Sequence, residues 1–167
     1  MAGAVRVGQG FDAHRLVAGR PLVLGGVAVP CERGLEGHSD GDVLLHAVAD
    51  AILGALGEGD LGRVFGSADP ALAGAASSGL LREVAARMRA AGFRVGHLDT
   101  TVIAETPRLA PFQAAMRKAL AELVGAPESA VNVKLKSTDG LGALGRAEGI
   151  AALAVVLLAP AGPGGAG

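Results

Sequence analysis

The sequence predicts an α+β fold, an α/β sandwich in which helices cover one face of a mixed four-stranded sheet. Apolar residues recur at helical spacing in some segments and alternate with polar residues in others. The two kinds of segment are interleaved, giving a core order β-α-β-α-β-β plus an N-terminal hairpin. With 167 residues and no internal repeat, the chain is expected to form one domain over 1–159, followed by a disordered Pro/Gly/Ala tail at 160–167.

Strand patterns open the chain. Residues 5–14 alternate, and their glycines would let the backbone lie close to another element. A second strand pattern at 22–29 is interrupted by Gly25-Gly26, which indicates a bulge or a hairpin. Residues 37–41, rich in Gly, His, Ser and Asp, are predicted to form a loop.

The first helix is predicted to begin after Ser39 as its N-cap and to end at about residues 54–56. Both of its flanks are apolar, so we expect burial on two sides. Its single polar stripe consists of Asp42, His46 and Asp50, spaced four residues apart. This stripe must face polar surroundings.

The remaining elements follow from the same two periodicities and from glycines that end the helices. Helices are predicted at 78–91 and from about Pro111 to Gly125, and strands at 98–104, 131–136 and 150–158.

Composition limits the possible partners and location. The formal net charge is -1, and no basic run interleaved with aromatic residues appears, so nucleic acid is not an expected partner. The longest apolar stretch, 150–160, is shorter than the roughly 20 residues that cross a bilayer, and the N-terminus has no signal-peptide pattern. We therefore expect a cytoplasmic protein, and the lone Cys31 agrees with a reducing compartment.

Aromatic residues make up only 2% of the chain, so Ala, Val, Leu and Ile must fill the core. Small side chains bury little area each, and such a core gains stability by burying further apolar surface against other subunits. Oligomerisation is therefore expected.

Two residues near the end of the first strand could bind a metal ion. Asp12 and His14 are two positions apart, so their side chains emerge on the same face. His46 on the first helix could complete a three-ligand zinc site with an open fourth position, which is typical of catalytic zinc. The spacing alone is weak, because on its own it favours a hydrogen-bonded core histidine at His46.

Other segments could hold phosphate groups. Residues 38–40 precede the first helix, where free N–H groups favour an anion, although a simple helix cap is the alternative. Residues 134–139 offer lysines and hydroxyls for a diphosphate and the Asp139 carboxylate for Mg²⁺, although a solvated strand end would look similar. Arg146 and Glu148 could simply pair with each other.

Several motifs in fixed register resemble those of one family, the 2-C-methyl-D-erythritol 2,4-cyclodiphosphate synthases of the non-mevalonate isoprenoid pathway. The resemblance covers residues 5 to about 158. The motifs are Gly8-Gln9-Gly10-Phe11-Asp12-Ala13-His14, His38-Ser39-Asp40-Gly41-Asp42 with His46, Gly59-Asp60-Leu61-Gly62, Asp69-Pro70 and Gly145-Arg146-Ala147-Glu148-Gly149.

The resemblance implies a phosphorus–oxygen lyase that acts on a cytidine diphosphate. In the family, 4-diphosphocytidyl-2-C-methyl-D-erythritol 2-phosphate is converted to the 2,4-cyclodiphosphate and CMP when its 2-phosphate attacks the β-phosphorus. The resemblance also implies a homotrimer with an active site at each interface, Zn²⁺ on Asp12, His14 and His46, and a second ion, Mg²⁺ or Mn²⁺, at Asp139.

Residue roles follow from the same resemblance. His38 and Ser137 match residues that stabilise the transition state. The matched substrate-binding positions are Asp12, His14, His38, Ser39, Asp60, Gly62, Phe65 and Asp69 for the methylerythritol phosphate, and Ala104, Pro107, Arg108, Lys136, Ser137, Thr138 and Asp139, from the neighbouring subunit, for the cytidine and diphosphate. Arg146 matches a basic residue near a central channel where isoprenoid diphosphates are proposed to bind.

The chain departs from the family pattern at five places. Arg108 fills a position where the family usually has Lys. Gly66-Ser67-Ala68 replaces Pro-Asp-Thr, Lys136 replaces Thr, Ala143 replaces Phe, and Asp139 replaces Glu. Because Asp is one methylene shorter than Glu, the second metal is expected to be held less directly.

Two other functions fit parts of the pattern. A zinc phosphohydrolase would use the same three ligands on a nucleotide diphosphate. A non-catalytic trimer that binds isoprenoid diphosphates would use Arg146 and an apolar axis.

Overall fold

Seven strands, five α-helices and two short 3-10 helices, Ala110–Phe112 and Glu128–Ala130, form in the residues that the computed structural model describes, 4–66 and 76–162. The strands are β1 (Arg6–Ala18), β2 (Leu22–Leu24), β3 (Val27–Val29), β4 (Arg33–Leu35), β5 (Phe93–Ile103), β6 (Val131–Lys136) and β7 (Gly149–Pro160). The helices are α1 (Val43–Leu56), α2 (Leu61–Phe65), α3 (Ser77–Ala90), α4 (Gln113–Val124) and α5 (Gly142–Gly145). The predicted α+β class is confirmed.

The main sheet is mixed and has the order β4-β1-β7-β5-β6. β5 and β6 run parallel, and the other neighbours are antiparallel. The sheet has five strands instead of the predicted four, because β1 continues past His14 and its last residues pair with β4, for example Leu16 with Leu35. β4 has only three residues, too few to show a strand pattern.

A separate hairpin joins β2 and β3, with Leu22 opposite Val29. Its two turn residues, Gly25 and Gly26, both have positive φ angles, 58° and 74°. Glycine adopts these angles without strain, and a two-residue turn of this kind matches the twist of a hairpin. The predicted interruption of the strand is therefore a hairpin turn, not a bulge.

The helices α1, α3 and α4 pack against the main sheet. Helix α1 lies across β1 and β7, and ten of its residues, including the whole run Ala47–Ala49, are buried. Gly8 and Gly10 face this helix, whereas Val7 and Phe11 face the opposite side and are 65% and 55% exposed. The opposite face of the sheet is therefore an uncovered apolar surface in a single chain.

The N-cap of α1 is Asp42, and the predicted cap, Ser39, is wrong. The Asp42 carboxylate accepts hydrogen bonds from the backbone N–H groups of Leu44 and Leu45, at 3.2 and 3.1 Å. Ser39 lies three residues before this cap, and its hydroxyl accepts a hydrogen bond from the Gly41 N–H and lies 3.2 Å from Nε2 of His46. The predicted C-terminus is confirmed, since Gly57 ends the helix in the left-handed conformation with φ 79°.

The other boundaries lie close to the predicted ones, with one exception. β5 begins at Phe93, five residues before the expected start, because its alternation shifts at a bulge between Val95 and His97. β7 extends to Pro160, and the last five residues of the expected tail, 163–167, lie outside the described residues. None of the helices in 4–66 and 76–162 has the length and apolarity that crossing a bilayer requires.

Candidate metal centre and active site

Asp12, His14 and His46 converge, as the sequence predicted. Asp12 Oδ2 lies 2.9 Å from His14 Nε2 and 2.9 Å from His46 Nδ1. Strand alternation turns Asp12 and His14 toward α1, which carries His46. One ligand atom from each residue lies within 4.8 Å of the others, so the three side chains can hold one metal ion.

The electrostatics of the three side chains suit a cation. Burial opposes ionisation of Asp12, but hydrogen bonds from His14 and His46 outweigh it and hold the pKa of its carboxyl well below the usual range. The hydrogen bond with Asp12 raises the pKa of His14 above 6.5, despite the partial burial of the ring. Asp12 is therefore a permanent negative charge at the point where a cation would bind.

Each histidine ring has a second partner on the side away from Asp12. Nδ1 of His14 contacts the carbonyl oxygen of Glu36. Nε2 of His46 lies 2.9 Å from the hydroxyl of Ser77. Outer partners of this kind orient metal-binding histidines.

A cavity of about 340 Å³ opens beside the three ligands. Besides the triad it is lined by His38, Ser39, Asp50, Leu61, Gly62, Phe65, Gly66 and Leu80. Of the residues predicted for the methylerythritol phosphate, His38, Ser39, Gly62 and Phe65 thus lie at the cavity wall. Asp69 and residues 67–68 lie outside the described residues.

Two interactions shape the cavity wall without lining it. Arg20 donates hydrogen bonds to the carbonyl oxygens of Gly37 and Ser39, at 2.9 and 2.7 Å, and so holds the loop that carries His38. Asp60, predicted to bind substrate, is the N-cap of α2 and accepts a hydrogen bond from the Arg63 N–H at 2.8 Å. It acts on the cavity through α2, whose residues form part of the wall.

The sequence pointed to Asp50 without giving it a role. As the last member of the polar stripe of α1, Asp50 lines the cavity and accepts a hydrogen bond from the Leu61 N–H at 2.8 Å. Burial raises the pKa of its carboxyl. The apolar wall residues Leu61 and Leu80 were not predicted either, because their apolarity did not distinguish them from core residues.

The residues predicted for cytidine and diphosphate form a second group. β5 and β6 are parallel and end together, with Ile103 opposite Lys136 and the Ala104 N–H donating to the Lys136 carbonyl at 2.9 Å. This pairing starts the segments 104–108 and 136–139 next to each other at the same edge of the sheet. No residue of either segment is among the described residues that line the cavity at the triad.

Within this second group, Asp139 adopts a positive φ of 53° and accepts a hydrogen bond from the Ser137 hydroxyl at 3.1 Å. The Thr138 hydroxyl donates to the carbonyl oxygen of Leu141 at 2.7 Å. These contacts shape the turn after β6 and leave the Asp139 side chain at the surface.

Arg146 donates a hydrogen bond to Glu148 at 2.7 Å, and both side chains are largely exposed. The expected pairing of Arg146 with Glu148 is thus present.

Comparison with known proteins covers nearly the whole chain. The model of the YgbB family matches residues 5–159. A 2-C-methyl-D-erythritol 2,4-cyclodiphosphate synthase from Burkholderia ambifaria is 56% identical over 157 residues, which are 94% of this chain and 98% of that protein.

Solved structures agree with the sequence comparison. The bifunctional IspDF from Campylobacter jejuni superimposes with a TM-score of 0.90 at 40% identity, over 94% of this chain and 42% of that one, so this chain spans less than half of the bifunctional protein. The Plasmodium falciparum IspF in its CDP complex gives a TM-score of 0.83 at 31% identity, over 96% of this chain and 99% of that one. The chain therefore belongs to the YgbB family, the family of the 2-C-methyl-D-erythritol 2,4-cyclodiphosphate synthases.

Proposed function

We propose that the protein is a phosphorus–oxygen lyase that converts 4-diphosphocytidyl-2-C-methyl-D-erythritol 2-phosphate to 2-C-methyl-D-erythritol 2,4-cyclodiphosphate and CMP. The observation that carries this proposal is the convergence of Asp12, His14 and His46 beside a cavity of about 340 Å³. The Burkholderia ambifaria 2-C-methyl-D-erythritol 2,4-cyclodiphosphate synthase, which this chain matches over 98% of that protein's length, supports the reaction. The Plasmodium falciparum IspF in its CDP complex supports a cytidine nucleotide as ligand.

The donor set fits zinc. One carboxylate and two imidazoles are common zinc ligands, and three protein ligands leave a coordination position for substrate. When bound, the ion would supply a Lewis acid that polarises a phosphoryl oxygen. Asp12 supplies the negative charge, and the two histidines supply neutral nitrogen donors from two different elements.

The described residues position the substrate and exclude water. In the proposed reaction an oxygen of the 2-phosphate bonds to the β-phosphorus, the bond from that phosphorus to the bridging oxygen breaks, and CMP leaves with the electron pair. No protein nucleophile is needed, so catalysis depends on alignment and charge neutralisation. Leu61, Phe65 and Leu80 form an apolar wall, and His38 and Ser39 form a polar part of the wall from which the His38 ring offers a hydrogen bond to phosphoryl oxygens.

The cytidine half of the site is proposed to come from a neighbouring subunit of a homotrimer. The segments 104–108 and 136–139 begin next to each other, and none of their residues, all of which the structure describes, lines the cavity at their own triad. The uncovered sheet face offers apolar area for such an assembly, with Val7, Phe11, Val155 and Leu157 exposed by 38–65%. Asp139, with its carboxylate at the surface, is the proposed ligand of Mg²⁺ or Mn²⁺.

The reaction is tested with purified protein, the diphosphocytidyl substrate, Zn²⁺ and Mg²⁺. We expect CMP by chromatography and a cyclic diphosphate by phosphorus NMR. Asp12→Asn should abolish both products. Glu83→Gln, which likewise replaces a carboxylate by an amide but on the exposed face of α3, should leave them unchanged. An open diphosphate would identify a hydrolase instead, and no release of CMP by the unaltered protein would refute the proposal.

A further inference from the structure

The ring of His46 is held from both sides by side chains. Its Nδ1 lies 2.9 Å from Asp12 Oδ2, and its Nε2 lies 2.9 Å from the hydroxyl oxygen of Ser77. Ser77 is the first residue of α3, lies 31 residues after His46 and is only 1% exposed. Ser77 is not among the described residues that line the cavity. Its hydroxyl therefore contacts the proposed metal ligand and not a substrate.

Asp40 determines the direction of the hydroxyl hydrogen of Ser77. One carboxylate oxygen of Asp40 contacts the Ser77 hydroxyl, and the other accepts a hydrogen bond from the Ser77 backbone N–H at 3.1 Å. A carboxylate only accepts hydrogen bonds, so the Ser77 hydroxyl donates to Asp40. The Ser77 oxygen can then accept a hydrogen bond from Nε2 of His46. If an ion replaces the hydrogen bond between Nδ1 and Asp12, Nε2 is the nitrogen that keeps its proton.

The Ser39 hydroxyl does not change this assignment. It lies 3.2 Å from His46 Nε2, a longer contact than that of Ser77, and it already accepts a hydrogen bond from the Gly41 N–H at 3.2 Å. Its position, 3.2 Å from the Ser77 hydroxyl, lets it donate to Ser77. Ser39 and His46 thus donate hydrogen bonds to the Ser77 oxygen, and the Ser77 hydroxyl donates to the Asp40 carboxylate.

His14 shows the same arrangement with the opposite ring nitrogen. Its Nδ1 donates to the carbonyl oxygen of Glu36, which only accepts, so Nε2, which faces Asp12, is the nitrogen left for an ion. The outer partner of His14 is backbone and survives any substitution. The outer partners of His46 are side chains, and they can be removed.

We propose that Ser77, oriented by Asp40, is a positioning residue of the metal centre. It accepts a hydrogen bond from Nε2 of His46, so that Nδ1 would present its lone pair to the ion. Removing an outer partner of a metal-binding histidine typically weakens metal binding roughly 10- to 100-fold. The inference rests on the metal binding that the proposed function requires, but not on the identity of the substrate.

The test measures metal binding rather than turnover. Zinc affinity is measured by competition with a chromophoric chelator, and the ligand field is read from the visible spectrum of the cobalt(II)-loaded protein. Ser77→Ala is expected to lower zinc affinity roughly 10- to 100-fold and to shift the cobalt bands. The matched control is Ser78→Ala, the same change one residue further along α3, which should leave both unchanged.

Two further variants separate positioning from packing. Ser77→Thr keeps the hydroxyl and should restore most of the affinity and the unaltered cobalt spectrum. Asp40→Asn should shift the spectrum in the same direction as Ser77→Ala but less, and it gives the answer if Ser77→Ala does not fold. Unaltered affinity and spectrum in Ser77→Ala, or no rescue by Thr, would overturn the inference and leave the proposed function standing. An unaltered protein that binds no zinc would overturn both.

Discussion

Gly10 on β1 lies so close to Ala47 on α1 that a Cβ atom at residue 10 would overlap the Ala47 carbonyl oxygen. Asp12 follows two residues later on the strand, and His46 immediately precedes Ala47 on the helix. The contact between Gly10 and Ala47 therefore sets the separation of the carboxylate and the imidazole.

Gly10→Ala should push α1 away from β1. We expect a loss of about 1–3 kcal/mol in the free energy of unfolding, measured in urea, because the added methyl group meets backbone. Zinc affinity should fall as well, because Asp12 and His46 separate. The control is Gly79→Ala on α3, where nothing lies within 4 Å of the new Cβ, and which should be neutral or stabilise by up to about 1 kcal/mol. A Gly10→Ala protein of unaltered stability would contradict this account of the contact.

Zinc affinity should fall as the pH is lowered. A protonated imidazole cannot bind a metal ion, and the hydrogen bond with Asp12 raises the pKa of His14 above 6.5. Proton competition should therefore begin at a higher pH than for an isolated histidine. Chelator competition between about pH 6 and about pH 8 measures it. In Asp12→Asn the residual affinity should lose this early onset, whereas a pH-independent affinity in the unaltered protein would exclude His14 as a ligand.

Asp42 should make the metal-free protein more stable at mildly acidic pH. Burial raises the pKa of its carboxyl from 3.8 to about 6, although N–H groups of Gly26, Leu45 and Gly25 oppose the shift. Because the folded pKa exceeds the unfolded one, the folded state binds more protons between these two values, and stability rises as the pH falls from about 6 toward about 4, by up to about 3 kcal/mol.

The measurement is the difference in unfolding free energy between the unaltered protein and Asp42→Asn, followed against pH. Asp99→Asn is the control with the opposite sign, because hydrogen bonding to Lys134 lowers the pKa of Asp99. Its contribution should be lost as the pH falls, and it should be small because the side chain is exposed. A difference for Asp42 that shrinks on acidification would mean that its N–H partners outweigh burial.

Val155→Asp should dissociate the proposed trimer. Val155 is 45% exposed on the uncovered sheet face, so a carboxylate there costs little in the single chain but would be buried in an assembly. Light scattering should give the mass of one chain, and CMP release should fall with it, because each site would lose its cytidine half. Ala115→Asp on the exposed side of α4 is the control and should change neither. A Val155→Asp protein that keeps its mass would place the interface elsewhere.

The convergence of Asp12, His14 and His46 could be predicted from the sequence for two reasons: strand and helix periodicity fix which side chains share a face, and the flanking motifs share the register of one family. Asp12 and His14 needed only alternation, and His46 stood out as a polar residue on a helix buried on two sides. Their convergence additionally required β1 and α1 to lie in contact. The glycines of β1 indicated such a close approach but not the element involved.

Other features depend on contacts between distant segments. The N-cap was misassigned because Ser39 and Asp42 both precede the helix, and Asp42 is selected by the Gly25 and Gly26 N–H groups, which bind its carboxylate from the hairpin. The role of Ser77 likewise depends on how α3 meets the loop before α1. One chain's sequence also cannot show which subunit completes a cavity.

The order of the sheet limits how copies of the chain can associate. Its two outermost strands are poor templates for adding another chain, because β4 has three residues and β6 carries lysines at positions 134 and 136. Strand-by-strand growth, the route to fibrils, is thereby discouraged at both ends. A chain that leaves apolar side chains of its central strands exposed can therefore associate face to face without a strong tendency to polymerise.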